Sequence, residues 1–441
     1  MKPARSRRHC RHLALTLLFM LCSGPPALAE PTPALTTENA GLLGGSRLDL
    51  SLRNLYRSGN ASEWDPDILP HHYSTWVQGI GLDYRSGYWQ DRLGVGLSYE
   101  SVINLRTRTA NGYTDNMLPP DLGSFSKLGQ AYLRYQQPGL SAQLGWQRMY
   151  NVGVIHARDS RAAQKSYHGL RLDGQSGQWS GLLAVVDRTI DRHEPGLRRF
   201  YSRDGRHQLN HIVSGQVKWE SSKNNSLLYF AGEADRYLFR QGLEASWQAQ
   251  PSGLRMEGFL YHNRGLSWWE RRDFSRDAYH FGLKASRELG PFTLAGGGSH
   301  TWAKPQNASD LGFFYFNLAR NAVGRFASPA YNGIFDYMHD RETMLFASLS
   351  YRLQASTRIG MAGYHGAGMR AQHVPLRHWD VLGFIEYQPP QLKKMTLRLL
   401  ADYGHSWKRT RNGQVDVASG QQINKPKIGS GFQLDYLLPL L

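Results

Sequence analysis

The feature that most constrains this chain is a rhythm: stretches of roughly ten residues in which every second side chain is apolar, separated by turn or loop residues. In the first stretch Leu48, Leu50, Leu52 and Tyr56 fall on one face of an extended strand, and Arg47, Asp49, Ser51, Arg53 and Arg57 fall on the other. Trp76, Ile80, Leu82 and Tyr84 repeat the pattern, as do Leu93, Val95, Leu97 and Tyr99, and it persists to Phe432, Leu434, Tyr436 and Leu438. Such alternation suits strands with lipid on one side and water on the other. It predicts an all-β fold, a transmembrane antiparallel β-barrel of about 18 strands.

Ahead of the rhythm, Lys2, Arg5, Arg7, Arg8 and Arg11 lead into an apolar run from Leu13 to Cys22, and Ala27, Leu28 and Ala29 supply a small-residue cleavage site. Residues 1–29 therefore read as a secretory signal, and 30–441 as one barrel domain beginning at Glu30. The apolar run is shorter than the ~20 residues that a spanning helix needs. Both cysteines, Cys10 and Cys22, lie in this leader, so the exported chain is expected to carry no disulfide, thiolate metal site or cysteine nucleophile. A mean hydropathy of −0.51 beside 12% aromatic residues suits a wall with one lipid face, a polar lumen and aromatic girdles.

Removing a leader with five basic and no acidic residues lowers the formal net charge from +17 to +12. Nucleic-acid binding is a usual reading of such an excess, but here the cations alternate along strands with lipid-type residues instead of clustering in a patch or helix. Placed along a lumen, the same excess favours anionic groups. By alternation Arg47, Arg53, Arg134, Arg171, Arg240, Arg255, Lys284, Arg358 and Arg398 point inward. A file of guanidinium groups can pass a carboxylate from one pairing to the next without holding it tightly at any step. The competing reading pairs each arginine with a neighbouring carboxylate on the wall.

The alternation breaks from about Met149 to Tyr167, in a charged stretch that reads NVGVIHARDSRAAQKSY from Asn151. Arg158, Asp159 and Arg161 within it are the constriction candidates, since neighbouring charges of opposite sign can recognise both ends of a zwitterion. Asn104 to Phe125, with Pro119 and Pro120, and Ala303 to Phe335 read as outer loops, the latter with no signal for whether it folds inward. Trp268, Trp269, Phe313, Phe314, Tyr315 and Phe316 form aromatic clusters, better explained as interfacial girdle than as a slide for sugars.

Several segments resemble one family. LDLSLRNLY and WVQGIGLDYRSGYWQDRLGVGLSY look like its opening strands, and ARDSR ahead of SYHGLRL is similar to the segment entering its constriction loop. EADRYLFRQG, with Asp235 and Tyr237, and DYMHDRETMLFASLSYRL resemble later strands, and VLGFIEYQPPQLKKMTLRLLADY with GFQLDYLLPLL resembles the closing ones. The family is the OprD-type substrate-specific porins of Gram-negative outer membranes. The resemblance implies an 18-stranded barrel with an inward-folded constriction loop and a pore in each chain, passing small carboxylate-bearing solutes such as amino acids and short peptides. It carries Asp159, Ser160 and Arg161 over to the constriction. The chain departs from the family where Leu400 replaces the second of two lumen-facing basic residues, and where Ala162, Ala163 and Gln164 follow ARDSR in place of Leu and Pro.

The expected partners are outer-membrane lipid and small anionic or zwitterionic solutes, with self-association left open. No cofactor is expected, because passive flux follows the concentration gradient. A sugar or chito-oligosaccharide channel is the alternative within transport. A barrel hydrolase is the alternative from another class, although HExxH, G-x-S-x-G and glycine-rich phosphate-loop motifs are absent. Gly296, Gly297 and Gly298 fall within a strand pattern, where close packing explains them better.

Overall fold

The computed structural model describes residues 41–60, 72–109, 112–222, 224–269, 275–305, 311–328, 335–407, 415 and 424–441. The expected leader lies outside the described residues. In chain order the strands are β1 (Arg47–Gly59), β2 (Tyr73–Arg85), β3 (Leu93–Thr109), β4 (Phe125–Gln137), β5 (Leu140–Gln147), β6 (Ser166–Ser176) and β7 (Trp179–Ile190). Then come β8 (Leu197–Tyr201), β9 (Gln208–Leu209), β10 (Ile212–Ser222), β11 (Asn225–Ala234), β12 (Leu238–Gln248), β13 (Arg255–Gly265), β14 (Asp277–Leu289) and β15 (Phe292–Trp302). The last are β16 (Asn317–Ala319), β17 (Ala322–Val323), β18 (Thr343–Gln354), β19 (Thr357–Ala371), β20 (Val374–Tyr387), β21 (Met395–Trp407) and β22 (Asn424–Pro439).

Each wall strand runs antiparallel to its neighbours. β7 pairs with β10 and β15 with β18 across loop excursions, and β1 pairs with β22 to close the ring. Eighteen strands thus form a closed barrel, while β8, β9, β16 and β17 belong to the loops. The closing seam shows how the two-residue period sets the faces. Leu52 stands opposite Tyr436 and Tyr56 opposite Phe432 on the lipid side, whereas Arg53 stands opposite Asp435 in the lumen. A slip of one residue would exchange the two sets, so the pattern fixes the register as well as the strands.

Leu97, Leu133, Leu144, Leu345 and Met361 leave half or more of their surface open on the outer face. Exposing such side chains to water costs roughly 25 cal/mol per Å², a penalty that hydrocarbon removes. Exposed Trp179 and Trp247 lie near the short-turn end and exposed Trp76 and Trp302 near the long-loop end, where indole rings suit the two membrane interfaces. The end with short turns is the periplasmic one by the usual build of such barrels.

The strands run further than the alternation suggests. β3 continues to Thr109, past the expected loop start at Asn104, and β19 runs for fifteen residues to Ala371. Above the hydrocarbon zone the outer face has no need of apolar residues, so the two-residue signal fades while the hydrogen-bonded ladder continues. Buried apolar packing sits inside the barrel, where Val152, Val154, Ile155, Phe230, Phe314 and Leu318 form part of one cluster between inward-folded loops and the wall.

Candidate functional site

Residues 148–165, the third loop on the long-loop side, leave the wall after β5, cross the lumen and rejoin it at β6. At the departure point Arg148 donates to Asp83 at 2.8 Å and to Glu100 at 2.7 Å, and Glu100 also lies 3.2 Å from Lys127 Nζ. Burying these charges is tolerable because they are mutually paired; removing one partner from such a network typically costs about 3–5 kcal/mol.

The loop then seats on β10. The Gly153 N–H donates to Gln216 Oε1 and the Val154 N–H to Ser214 Oγ, each at 2.8 Å, and the Ser214 hydroxyl donates to the Val152 carbonyl at 2.7 Å. Gly153 has φ +54°, and a Cβ there would run into Ser214 Oγ, so this contact needs glycine twice over. On the other side of the lumen Arg53 of β1 donates to Asp159 Oδ1 at 2.5 Å and to the Arg161 carbonyl at 2.8 Å. The Ala162 carbonyl presses against β2 where a Cβ on Gly79 would stand only 2.5 Å away. Ala163 is buried beside Leu55, Val77 and Val102. Ala162 and Ala163 thus let the loop backbone lie close to the wall.

A second element shares the constriction. The stretch expected to be an outer loop, between β15 and β18, enters the lumen as the seventh loop and lays the β16–β17 hairpin beside the third. The His156 N–H donates to the Val323 carbonyl at 3.2 Å and the Arg325 N–H to the Val154 carbonyl at 2.7 Å. Arg325 also grips Glu244 of β12 through both carboxylate oxygens and donates to the Asn151 carbonyl at 3.1 Å. Arg325 thus joins both loops to the wall, a role hidden in the sequence because nothing local marks its loop as inward-folding.

Arg240 requires a correction. It is fully buried beneath the seventh loop and does not line open water. Its guanidinium donates to Asn263 Oδ1 at 2.7 Å, the Phe316 carbonyl at 2.6 Å and the Tyr315 carbonyl at 2.5 Å. The aromatic clusters need the same correction. Trp269, Phe313, Phe314 and Tyr315 are buried in the loop core, so they form neither a membrane girdle nor an open slide.

The remaining candidates divide between braces and wall pairs. Arg158 adopts a left-handed φ of +48° that sets its guanidinium over Phe316 and Phe326, at 5.0 and 5.1 Å from the ring centres. Arg161 donates to Asp115 Oδ1 at 2.8 Å, bracing the second loop against the third. Asp159, nearly half exposed, is the acid that receives Arg53. Arg47 pairs with Asp49 at 2.5 Å and Arg171 with Asp173 at 2.7 Å, while Arg134 donates to the Ser86 carbonyl and lies 4.1 Å over the Tyr88 ring. Asp235 and Tyr237 occupy the turn between β11 and β12, where Asp235 accepts from Asn210 at 2.8 Å and Tyr237 is buried.

Two wall groups are unbalanced in charge. Arg358 and Arg398 both reach Glu386, at 3.4 and 3.1 Å, and Arg255 and Lys284 both reach Glu257, at 2.7 and 3.2 Å. Each places two cations on one carboxylate. A vestibule of about 590 Å³ on the periplasmic side of the loops is lined in part by Lys218, Glu244, Glu257, Lys284 and Arg325.

Charge also gathers in the loops above. Burial, then Arg161 and Arg158, pulls the Arg192 guanidinium down to about 10. Burial, followed by Arg158 and Arg325, pulls His156 down to about 4, which leaves it neutral at pH 7. Burial alone would raise Asp191, but Lys165 at 3.0 Å outweighs it and holds this carboxyl well below the ordinary range.

A closed, lipid-clad barrel of eighteen strands, narrowed from within by two charged loops, is the architecture of a porin, an outer-membrane diffusion channel. The sequence matches the family model for outer membrane porins of the OprD family over residues 40–289, more than half of the chain, and the protein belongs to that family. Among solved structures it is similar to OccAB1 of Acinetobacter baumannii, with a TM-score of 0.73 at 13% identity over 91% of this chain and 98% of that one. Pseudomonas aeruginosa OccK8 (OprE) gives 0.71 at 13% identity over 91% and 100%, and P. aeruginosa OccD3 (OpdP) gives 0.69 at 16% over 91% and 93%. No protein of curated function matches.

Proposed function

We propose that this channel resides in the outer membrane of a Gram-negative cell and passes small carboxylate-bearing solutes, amino acids or short peptides among them, by passive diffusion. The observation that carries this reading is the double imbalance on the lumen wall, Arg358 and Arg398 on Glu386 and Arg255 and Lys284 on Glu257. Arg358 and Arg398 are each 47% exposed, so their remaining N–H donors face water and can meet a passing carboxylate. At the constriction Asp159 stands beside Arg53, an arrangement suited to the ammonium end of a zwitterion. Oligosaccharide passage has less support, because much of the aromatic cluster that would carry it is buried.

The test is single-channel recording of the refolded chain in a planar bilayer, with reversal potentials in a salt gradient. Anion preference with block by small carboxylates is the expected result. Block by oligosaccharides alone would replace this reading with the sugar channel. A folded barrel with no conductance would turn attention to hydrolysis of lipid or peptide substrates.

A further inference from the structure

Outside the constriction, where the returning arm of the seventh loop enters β18, three side chains of metal-ligating type converge. His339, Glu342 and His378 bring one donor atom each to within 4.8 Å of one another, the one such group of three among the described residues. Their side chains are 3%, 0% and 0% exposed. His339 Nδ1 lies 3.1 Å from Glu342 Oε2, and His378 Nε2 contacts the other carboxylate oxygen.

We infer that this cluster binds a divalent ion of the zinc type, and that the ion ties the seventh-loop arm to β20. The donor set selects the metal: calcium and magnesium favour six or more oxygens, whereas two imidazoles with one carboxylate suit borderline ions such as zinc. One of the three spacings already suits such an ion, whereas His378 Nε2, in direct contact with Glu342, has to draw back to admit it. Bonds of about 2.0–2.1 Å to a tetrahedral zinc place neighbouring ligand atoms a little over 3 Å apart, close to the separation of His339 and Glu342.

The wall leaves room for the group. Gly366 of β19 stands opposite His378, and a Cβ there would lie 2.7 Å from His378 Nε2 and collide with Glu342 Oε1. The rings are enclosed by aromatic neighbours. Trp407 lies 5.1 Å from His339 and 4.9 Å from His378, Phe313 lies 5.2 Å from His339, and Phe335 lies 4.7 Å from His378. In so dry a site a carboxylate requires a cation, and a metal would satisfy it together with both imidazoles. A histidinium shared between the rings is the competing arrangement.

The position gives the ion mechanical leverage. The Phe314 N–H donates to the Met338 carbonyl at 2.9 Å and the Asp340 N–H to the Gly312 carbonyl at 2.8 Å. The arm carrying His339 therefore holds the stretch whose Tyr315 and Phe316 carbonyls cap Arg240. Fixing the arm fixes the inward fold of the loop.

To test this, the full chain is refolded in chelator-treated buffer, titrated with zinc, washed free of excess and analysed for metal per chain. Cobalt(II) is used in parallel, because low-coordinate N/O ligation gives visible absorption that ions adsorbed on surface histidines do not. We expect one zinc per folded chain, a rise in thermal unfolding midpoint reversed by chelator, a cobalt spectrum, and loss of all three in His339→Asn. Should that variant fail to fold, the chelator-treated and zinc-loaded wild-type channels supply the comparison. A folded, conducting wild-type channel that gives no cobalt spectrum and retains no zinc overturns the assignment in favour of the shared proton, and one that prefers calcium or magnesium overturns the choice of a zinc-type ion.

Discussion

Arg53 of the first strand donates to Asp159 of the third loop at 2.5 Å while its Nε holds Asp435 of the closing strand at the same distance. One lumen-facing arginine thus joins the barrel seam to the element that narrows it. Its acidic partners bind it from two sides, so its main work is anchorage.

Replacing Arg53 with leucine should leave Asp159 and Asp435 without this shared cation and detach the far end of the third loop. Charge-assisted hydrogen bonds of this kind contribute about 1.5–3 kcal/mol each. The barrel should still form, with larger and noisier single-channel conductance. Conductance and noise matching the parent in a correctly folded variant would show that the loop is held elsewhere.

Arg240→Met should act on the seventh loop. The substitution roughly keeps the volume but takes their donor from the Phe316 carbonyl and from Asn263 Oδ1, at about 1–3 kcal/mol for each unsatisfied group, while the Tyr315 carbonyl keeps its bond from Asn263 Nδ2. Limited proteolysis should then cut between β15 and β18 at least several-fold faster than in the parent. Equal cutting rates would mean that Arg325 and the hairpin hold the loop without Arg240.

The pair of arginines on Glu386 gives two opposed predictions. Arg398→Gln removes one of two cations and should lower anion preference, whereas Glu386→Gln removes the shared anion and should raise it. Reversal potentials in a salt gradient read both. Shifts of the same sign would exclude this group from the conduction path.

Acid should loosen the constriction through His156. Its Nδ1 accepts from the Asn151 N–H at 3.2 Å, which requires an unprotonated nitrogen, and its folded pKa lies at about 4 against an ordinary 6.5. The unfolded or released loop therefore binds more protons between those values, so loop stability falls as pH drops from 6.5 toward 4. Gating noise should rise across that window and be less pH-dependent in His156→Gln. A pH response identical in the two channels would assign the effect to another group.

The fold was legible because a barrel wall is a local code. Each residue of β1 meets lipid or lumen according to parity alone, so Leu52 and Arg53 announce their faces without knowledge of any partner. The third loop was legible as the place where parity stops. Arg158, Asp159 and Arg161 lie within it, Arg158 and Arg161 as braces.

Other features could be decided only in three dimensions. Arg240 and Arg398 present the same signal, a basic residue at an inward parity, yet one lies buried under a loop and the other half exposed. The difference comes from residues 315 and 316, more than seventy positions from Arg240, whose carbonyls replace water around its guanidinium. His339, Glu342 and His378 likewise come together only because the seventh loop returns beside β20. The sequence by itself determined the barrel, its two faces and the loop that breaks its rhythm, since side-chain parity needs only neighbours in the chain. Tertiary structure decided which inward charges meet water and which hold the loops in place, because that depends on long-range closure that no local period encodes.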